Sequence, residues 1–386
     1  GTHSMRIALI VPGVGGVQRA GHQRAIPVIQ ALIERLARRH EVLVVALDEE
    51  RETRYSLLGA TVVTLGRLPG ISAAGRWLAG LRRLIAVLRR EGSRFDVLHT
   101  FWAGNPAAWA VAAGRLLHAS VMVSIGGGEL VWLPEIAYGG QGGLLGRAKV
   151  SLILRMADAV SACSRYSLEP LAHIRRGALW LPWGVDCGLF DGPSERTPGP
   201  PWRLLHVASL NRVKDQGTLL RAIRLVRHQV PVELDCIGED TLGGHVQRLA
   251  VELGLEPAVK FHGFKPANEV ATFYHRAHLY VHSSLFENTP AVVLEAAAAG
   301  LPTAGTAVGL MAEMAPEAAL AVPVRDPEAL AQGILSLLVN ERKRSSLGRK
   351  AQQFARQYDA DWTTGQLEAV YAALARRRDH KSLPQA

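Results

Sequence analysis

Residues 283–302, with the sequence SSLFENTPAVVLEAAAAGLP, constrain the fold more than any other stretch of the chain. Thr289 is a predicted helix N-cap, Pro290 suits the first helical position, and Gly300 is a typical helix terminator. The β-branched and aromatic residues just upstream predict a strand. Glu287 therefore lies in a turn from a strand into a helix, which is where open α/β sheets bind their ligands.

Glu295 is a carboxylate inside this predicted helix. The other residues are apolar on nearly every helical face, a pattern typical of a buried helix. A buried carboxylate is strongly unfavourable without hydrogen-bond donors, and no Lys or Arg lies within one helical turn of Glu295. Two sources of donors remain open: a distant arginine or backbone amide of the fold, or a bound ligand.

The rest of the chain alternates strand and helix patterns, which predicts parallel sheets with helices on both faces. The predicted strands are residues 6–11, 42–47, 61–65, 96–100, 121–124, 203–207, 232–237, 259–261 and 278–282, and predicted helices include 72–90, 106–117 and 217–228. Residues 186–201 are rich in Pro and Gly, which indicates a linker. The 386 residues are expected to form an α/β protein of two doubly wound, Rossmann-like domains that face each other across a cleft.

The charge balance bears on partners and location. A net charge of +10 favours anionic partners, whereas no helix or sheet motif for nucleic-acid recognition is found. Three isolated cysteines argue against disulfides and a zinc site and for a reducing compartment. The helix at residues 76–90 is basic and amphipathic, so it either lies on an anionic membrane or packs on the core with a solvated basic face.

Three loops carry residues suited to phosphate or sugar chemistry. Gly15 and Gly16 follow the first strand, where a glycine loop before a helix can cradle phosphate. Glu129 follows a second glycine loop and could accept a proton or hydroxyl hydrogen bonds. Arg212 and Lys214 follow the strand at 203–207 and suit a diphosphate. Each loop alone also has a structural alternative: a tight turn for Gly15 and Gly16, a flexible loop for Glu129, and a solvated turn for Arg212 and Lys214.

Together these residues resemble the GT-B glycosyltransferases, and within them the retaining nucleotide-sugar enzymes of glycosyltransferase family 4. Glu287 and Glu295 match the E-x7-E signature of that family. Further matches are Gly15 and Gly16, the segment WGVD at 183–186 with Phe190 after it, Lys214, the segment FHG at 261–263, and TAVG at 306–309. The resemblance implies an acceptor-binding domain at residues 5–186, a donor-binding domain at 202–360 and a helix at 361–380 that returns to the first domain.

The resemblance also implies roles for individual residues. Glu287 would bind hydroxyls of the transferred sugar, Glu295 the ribose diol of the nucleotide, and Lys214 the diphosphate. The implied donor-binding residues are Gly15, Gly16, Asn211, Gly263, Phe264, Asn288, Thr289, Pro290, Ala291 and Glu295. The implied catalytic residues are Glu287, Lys214, Arg212, Glu129 and His99. No metal and no cofactor is expected, because the cations and the helix terminus stabilise the charge of the leaving group.

Two departures from the family pattern affect these roles. Gly126 stands where many members carry a catalytic-loop histidine, so Glu129 and His99 are the candidates for orienting the acceptor. The usual phosphate-binding arginine is replaced by Ser209 or Asn211, and Arg212 is the nearest candidate.

The expected function is retaining, metal-independent transfer of a sugar from a nucleoside-diphosphate sugar to a hydroxyl of a glycan or lipid-linked acceptor. Two alternatives remain: a catalytically silent GT-B module that binds nucleotide-sugar and regulates a partner, and a nucleotide-sugar epimerase of the same fold. Neither a signal peptide nor a run of about 18 apolar residues is seen, so we expect a cytoplasmic protein. Peripheral contact at the inner face of the membrane stays open as one of the two interpretations of the basic helix at residues 76–90.

Overall fold

The structure, a computed structural model, describes residues 3–12, 27–47, 50–70, 72–92 and 94–382. The strands are β1 (Arg6–Val11), β2 (Glu41–Ala46), β3 (Arg54–Leu57), β4 (Ala60–Thr64), β5 (Val97–Phe101), β6 (Ser120–Ile125), β7 (Ala159–Ala162), β8 (Leu179–Trp180), β9 (Trp202–Val207), β10 (Val232–Ile237), β11 (Val259–Phe261), β12 (Leu279–Val281), β13 (Thr303–Thr306) and β14 (Leu320–Val322). The helices are α1 (Pro27–Ala37), α2 (Ala73–Glu91), α3 (Asn105–Leu117), α4 (Leu144–Met156), α5 (Arg165–Ile174), α6 (Gln216–Arg227), α7 (His245–Glu252), α8 (Ala267–Arg276), α9 (Ala291–Ala298), α10 (Gly309–Met314), α11 (Pro327–Leu338), α12 (Glu341–Gln357) and α13 (Ala360–Ser382).

The chain divides into two compact units. The first contains the described residues of Gly1–Cys163, Ser167–Pro182 and Ala360–Ala386, and the second contains Ser164–Tyr166 and Trp183–Asp359. The Pro- and Gly-rich residues 186–201 thus lie within the second unit. There the Arg196 guanidinium donates to the carbonyl oxygens of Ala277 (2.6 Å) and Tyr274 (3.1 Å), so this stretch is packed and hydrogen-bonded.

The described residues of the first unit form an eight-stranded sheet of order β3-β4-β2-β1-β5-β6-β7-β8. All neighbouring strands are parallel except β3 and β4, which form an antiparallel hairpin that the sequence analysis did not predict. Strand β1 lies between β2 and β5, so the order reverses at the β1–β5 boundary. In doubly wound sheets such a reversal opens a crevice beyond the carboxyl ends of the strands.

The second unit has a six-stranded, fully parallel sheet of order β11-β10-β9-β12-β13-β14. Its order reverses between β9 and β12, because the chain first adds β10 and β11 on one side and then β12 to β14 on the other. The predicted α/β fold of two parallel-sheet, Rossmann-like units is therefore confirmed. The loops after β9 and β12 carry Lys214 and Glu287, and both lie at the carboxyl edge of this sheet.

Helix α9 begins one residue later than the sequence predicted. Pro290 occupies the N-cap with extended backbone (φ −73°, ψ 96°), and the prediction of Thr289 as N-cap and Pro290 as first helical residue is wrong. Proline lacks the side-chain oxygen of a capping residue, so α9 has no side-chain cap. Gly300 follows the helix with φ +71°, a left-handed conformation that glycine adopts without strain, as predicted for a terminator.

Helix α13 packs within the first unit. The Arg35 guanidinium on α1 donates to the Asp361 carboxylate (2.8 Å), and Arg378 pairs with Asp96 (2.6 Å). Tyr371, which is fully buried, reaches His99 on β5. These contacts attach the C-terminal helix to both α1 and the sheet.

Helix α2, whose basic face suggested a membrane contact, packs its apolar side on the core of the first unit. Leu84, Val87 and Leu88 are buried, and the Arg83 guanidinium donates to the carbonyl oxygens of Leu65 (2.7 Å) and Arg67 (2.9 Å). This packing favours the alternative of a core helix with a solvated basic face. In the part of the chain that the structure describes, no helix is both long and apolar enough to span a bilayer.

Candidate functional site

The loops after β9 and β12 are joined to each other at the point where the strand order of the second unit reverses. The Leu285 amide donates to the Val213 carbonyl (2.8 Å). The Ser283 hydroxyl donates to the carbonyls of Lys214 (3.1 Å) and Asp215 (2.7 Å). These bonds fix the two loops as one surface and bring the predicted residues Lys214 and Glu287 together.

The ammonium of Lys214 forms an ion pair with the carboxylate of Glu287. Both side chains remain partly accessible, at 23% and 15% exposure, and the Ser284 hydroxyl donates to the same Glu287 oxygen (2.8 Å). Burial raises the pKa of Glu287, but the Lys214 ammonium and the hydrogen bonds from Lys214 and Ser284 outweigh burial, so the pKa is lowered overall. Glu287 is therefore ionised at neutral pH and holds Lys214 in place.

A short 3-10 turn, Arg212–Lys214, positions the lysine. The Asn211 side chain accepts a hydrogen bond from the Lys214 amide (3.1 Å), and Asp215 then adopts a left-handed conformation (φ +47°) that starts α6. The Asn211 side chain, predicted to bind donor, thus caps the turn. The Arg212 side chain points to solvent and makes no ion pair within the described residues, so it is available to an anion.

The residues before α9 are held by a backbone contact that the sequence analysis did not identify. The Asn288 carbonyl accepts from the Leu310 amide (2.7 Å), and its buried side chain accepts from the Ser164 hydroxyl (2.8 Å). Gly309 has φ +52°, and a Cβ there would lie 2.2 Å from the Glu287 carbonyl oxygen. Only glycine fits this approach, so Gly309 is a positioning residue for the Glu287 loop.

The amino end of α9 follows directly. Thr289 and Ala291 are partly accessible, whereas Pro290 is buried. The first amides of a helix have no partner within the helix, and they attract negative charge. These amides and Lys214 therefore provide two kinds of anion-binding group at the same edge of the sheet.

Glu295 lies on α9 and is 6% exposed, as predicted. The fold supplies a donor that the sequence did not reveal, because the hydroxyl of the fully buried Tyr274 on α8 donates to Glu295 Oε2 (2.7 Å). Burial nevertheless raises the pKa of Glu295 to about 7, and the Tyr274 hydrogen bond only partly opposes this. No motif links Tyr274 to Glu295, so only the packing of α8 against α9 could identify this partner.

Two buried histidines, also absent from the sequence predictions, lie beneath the ion pair. His206 at β9 contacts the Val281 carbonyl through Nδ1 (2.9 Å) and the Gln216 amide through Nε2 (3.2 Å). His282 follows β12, and its Nε2 is buried without a hydrogen-bond partner among the described residues. Burial lowers the pKa of both to about 4, so both are neutral at pH 7. The signal in the sequence that could have indicated these two histidines is the presence of a polar residue near the carboxyl end of each of two largely apolar strands.

The remaining predicted donor residues lie at the same edge or outside the described part. Gly263 follows β11 with φ +68°, and its carbonyl accepts from the Gly238 amide (2.9 Å) after β10. The Phe264 side chain is 52% exposed next to it. Gly15 and Gly16 lie outside the described residues.

His99, a predicted catalytic residue, is in the interior of the first unit. Its ring contacts the Tyr371 hydroxyl through Nδ1 (2.5 Å) and the Ser124 hydroxyl through Nε2 (2.7 Å), and the residue has no exposed surface. Burial lowers the pKa of His99 to about 3. This position favours a structural role for His99 over the predicted role of orienting an acceptor.

Glu129 holds together the glycine loop after β6. Its carboxylate accepts hydrogen bonds from the amides of Gly127 (2.8 Å), Ala103 (3.2 Å) and Gly126 (3.4 Å). Burial raises the pKa of Glu129, and these amide bonds oppose the rise. Glu129 thus links the loop after β6 to the loop after β5. It therefore has a structural role in addition to the catalytic role that was predicted for it.

The arrangement in the second unit can bind an anion and polar hydroxyls. Lys214, Arg212 and the α9 amides suit a diphosphate, while Glu287 and Glu295 can accept hydrogen bonds. Throughout the described ranges, His, Cys, Asp and Glu do not assemble in groups of three that could hold a metal ion.

Comparison with known families gives two matches. The model described as glycosyl transferases group 1 matches residues 191–354, and the glycosyl transferase 4-like domain matches residues 25–178. Among curated proteins, the D-inositol 3-phosphate glycosyltransferase of Corynebacterium urealyticum is 26% identical over 320 residues, covering 75% of this chain and 74% of its own. The enzyme of that name from Salinispora tropica is 26% identical over 351 residues, covering 83% and 72%.

Solved structures show the same fold. Sucrose-phosphate synthase from Thermosynechococcus elongatus has a TM-score of 0.76 at 18% identity and covers 96% of this chain and 99% of that one. Anabaena HepE, solved in complex with UDP-glucose, has a TM-score of 0.71 at 18% identity and covers 95% and 100%. The glycosyl transferase 4-like match covers strands β2 to β7 of the first sheet, and the group 1 match covers all six strands of the second sheet together with Lys214, Glu287 and Glu295. The chain belongs to the group 1 glycosyltransferases, with the GT-B fold.

Proposed function

We propose that this protein transfers a sugar from a nucleoside-diphosphate sugar to an acceptor hydroxyl, with retention at the anomeric carbon and without a metal ion. The observation that carries the proposal is the Lys214–Glu287 ion pair beside the amino end of α9. One cation, one accessible carboxylate and a set of helix amides lie at one edge, where diphosphate and sugar hydroxyls would each find a partner. That HepE was solved with UDP-glucose supports this class of donor.

In the proposed donor complex, Lys214 and the α9 amides hold the diphosphate, with Arg212 at the exposed side. Glu287 then exchanges part of its contact with Lys214 for hydroxyls of the sugar. Glu295 accepts hydrogen bonds from the ribose diol in addition to that from Tyr274. Gly263 and Phe264 contact the base.

In the proposed transfer step, the bond between the anomeric carbon and the diphosphate oxygen breaks, and the electron pair leaves with the diphosphate. Lys214, Arg212 and the α9 amides stabilise this charge. The acceptor hydroxyl forms the new bond on the same face, and its proton passes to the departing phosphate oxygen. The first unit selects the acceptor. Since Glu129 and His99 both make internal hydrogen bonds, the proton transfer is assigned to the donor phosphate.

Three measurements test the proposal. A thermal-shift screen over UDP, GDP, ADP and their sugars identifies the donor, because a ligand at 100 times its Kd adds about 2.7 kcal/mol to the apparent free energy of unfolding. With that donor, proton NMR of the product of transfer to D-inositol 3-phosphate and other polyols reports the anomeric configuration. An inverted product contradicts retention, and loss of transfer in EDTA contradicts metal independence.

The same incubation separates the two alternative functions. A silent binding module stabilised by donor releases no sugar to water or acceptor, and an epimerase changes the sugar while it is still attached to the nucleotide. The proposal also includes a cytoplasmic location with peripheral contact at the membrane. Co-sedimentation with vesicles tests that contact. Because the apolar side of α2 packs on the core, the contact would be made by another basic surface.

A further inference from the structure

A cavity of about 530 Å³ lies in the first unit, at the edge of the sheet opposite the glycine loop that follows β6. Its wall includes Ala119 and Ser120, where β6 begins, and Asp158, directly before β7. Gly126 follows the other end of β6. Because β5, β6 and β7 are parallel, the cavity lies at their amino ends, and it is distinct from the carboxyl edge where open α/β sheets bind their main ligands.

Basic side chains dominate this cavity. Its wall contains Arg94, Arg115, His118, Arg377 and Arg378, from the ends of α3 and α13 and the segment before β5. Asp158 is the acidic residue of the wall, and its carboxylate accepts a hydrogen bond from the Val121 amide (2.8 Å). The wall of the cavity therefore contains more arginines than carboxylates.

The fold neutralises one of these arginines and leaves at least two others without a carboxylate. Arg378 pairs with Asp96 (2.6 Å) and donates to the Phe95 carbonyl (2.7 Å). Arg115 donates only weakly, to the neutral carbonyl of Met156 (3.3 Å). Arg377 makes no ion pair or hydrogen bond within the described part of the chain. Like charges that converge on one cavity repel each other, and an anion that enters it relieves this repulsion.

We propose that this cavity binds a phosphate-bearing anion, held by the guanidinium groups of Arg115 and Arg377 with Arg94 and His118 beside them. A guanidinium group can donate two parallel hydrogen bonds to two oxygens of one phosphate, and His118 adds a ring nitrogen donor. The volume lies within the range of small-molecule sites. The cavity shares no residue with the donor site of the second unit, so this proposal does not depend on the proposed transferase reaction.

A phosphate group can come from a free phosphorylated metabolite or from a lipid headgroup. Leu116 and Met156, at the ends of α3 and α4 next to Arg115, are 59% and 37% exposed. Apolar side chains beside a basic cavity suit a headgroup with attached acyl chains, whereas a free phosphorylated molecule needs only the arginines. The two sources share one binding chemistry, and separate measurements distinguish them.

The test compares two double variants with the same change of charge. Arg115→Ala/Arg377→Ala removes the cavity cations, and the control Arg82→Ala/Arg89→Ala removes two exposed arginines of α2 in the same unit. Pyrophosphate is titrated calorimetrically into proteins that also carry Lys214→Ala, which weakens phosphate binding at the donor site. Co-sedimentation uses vesicles of phosphatidylcholine alone and vesicles with added phosphatidylglycerol.

We expect the cavity variant to raise the Kd for pyrophosphate at least about tenfold and the control to change it less than about twofold. Pyrophosphate binding without vesicle binding assigns a free phosphorylated ligand, and selective loss of anionic-vesicle binding in the cavity variant assigns a lipid headgroup. Equal losses in both double variants would mean diffuse surface electrostatics and overturn the proposal. The proposal would also be overturned if the Lys214→Ala protein did not bind pyrophosphate and the wild-type protein bound vesicles with and without phosphatidylglycerol equally. Sugar transfer by the cavity variant, measured separately, is expected to be unchanged.

Discussion

The two sheets use the polar residues near their carboxyl edges in opposite ways. In the second unit, Lys214 and Glu287 form an accessible ion pair, and Glu295 on the adjacent helix is buried with a raised pKa. In the first unit, His99 and Glu129 are both occupied by internal hydrogen bonds. A polar residue near a strand end is thus a ligand candidate only where the fold has not already used its hydrogen-bonding atoms.

Replacing His99 gives the largest expected effect and tests the structural side of this comparison. His99→Ala removes two buried hydrogen bonds and leaves a cavity, so the free energy of unfolding should fall by about 3–5 kcal/mol. Chemical denaturation measures this fall. Ser124→Ala removes one partner of His99 and also the hydrogen bond between Ser124 and Ser161, so it should cost about 1–3 kcal/mol. Transfer by the folded fraction of Ser124→Ala should be unchanged. A stable His99→Ala protein without transferase activity would instead make His99 catalytic.

The pH dependence of stability tests the raised pKa of Glu295. Its folded-state pKa of about 7 lies above the ordinary 4.5, so the neutral carboxyl stabilises the fold fully below that ordinary pKa. This contribution is lost as pH rises through about 7, and the free energy of unfolding without ligand should fall by about 3 kcal/mol over that range. Denaturation at several pH values measures the slope.

Glu295→Gln should flatten this slope, while Glu317→Gln at an exposed position should leave it unchanged. Donor binding should release protons near pH 7, because ribose hydroxyls that donate to Glu295 favour its ionised form. Calorimetry in buffers of different ionisation enthalpy detects the release. Donor binding of undiminished affinity by Glu295→Ala would reject its assignment to the ribose.

Lys214→Ala tests the accessible ion pair of the second unit. Loss of a charge-assisted contact to the leaving diphosphate should lower turnover about 10- to 100-fold. Lys260→Ala, at an exposed position in the same unit, is the matched control and should retain wild-type turnover. Steady-state kinetics with the identified donor measure both variants. Turnover of Lys214→Ala within about twofold of wild type would place the phosphates elsewhere.

Glu129→Gln gives the smallest expected effect on turnover. The amide side chain keeps one oxygen that accepts from the loop, but its NH2 group replaces the other acceptor, so the cost in stability should be about 1–2 kcal/mol. Turnover should stay within about twofold of wild type if Glu129 only holds the loops after β5 and β6. A fall of about 100-fold with an intact fold would show that this carboxylate takes part in general acid–base catalysis after all.

Much of the fold could be predicted from local patterns. The strands predicted at 6–11, 232–237 and 259–261 coincide with β1, β10 and β11, because short apolar runs between Pro, Gly and polar residues are strong strand signals. The β3–β4 hairpin was missed because half of β3 is exposed. The start of α9 was misplaced because Thr-Pro suits both capping positions.

The sequence by itself determined the alternation of strands and helices in both units, the positions of Lys214 and of Glu287 directly after a strand, and the burial of Glu295, because these follow from the period and punctuation of local segments. Only the tertiary structure decided that the strands before Lys214 and Glu287 are neighbours. Only the tertiary structure decided that Tyr274 donates to Glu295, that Gly309 leaves room for the Glu287 carbonyl, and that His99 is enclosed by Tyr371 and Ser124. It also gathered Arg115 and Arg377, which are far apart in the chain, around one cavity. Hydrogen bonds and charges act over distances in space, and no local pattern encodes which distant atoms will meet.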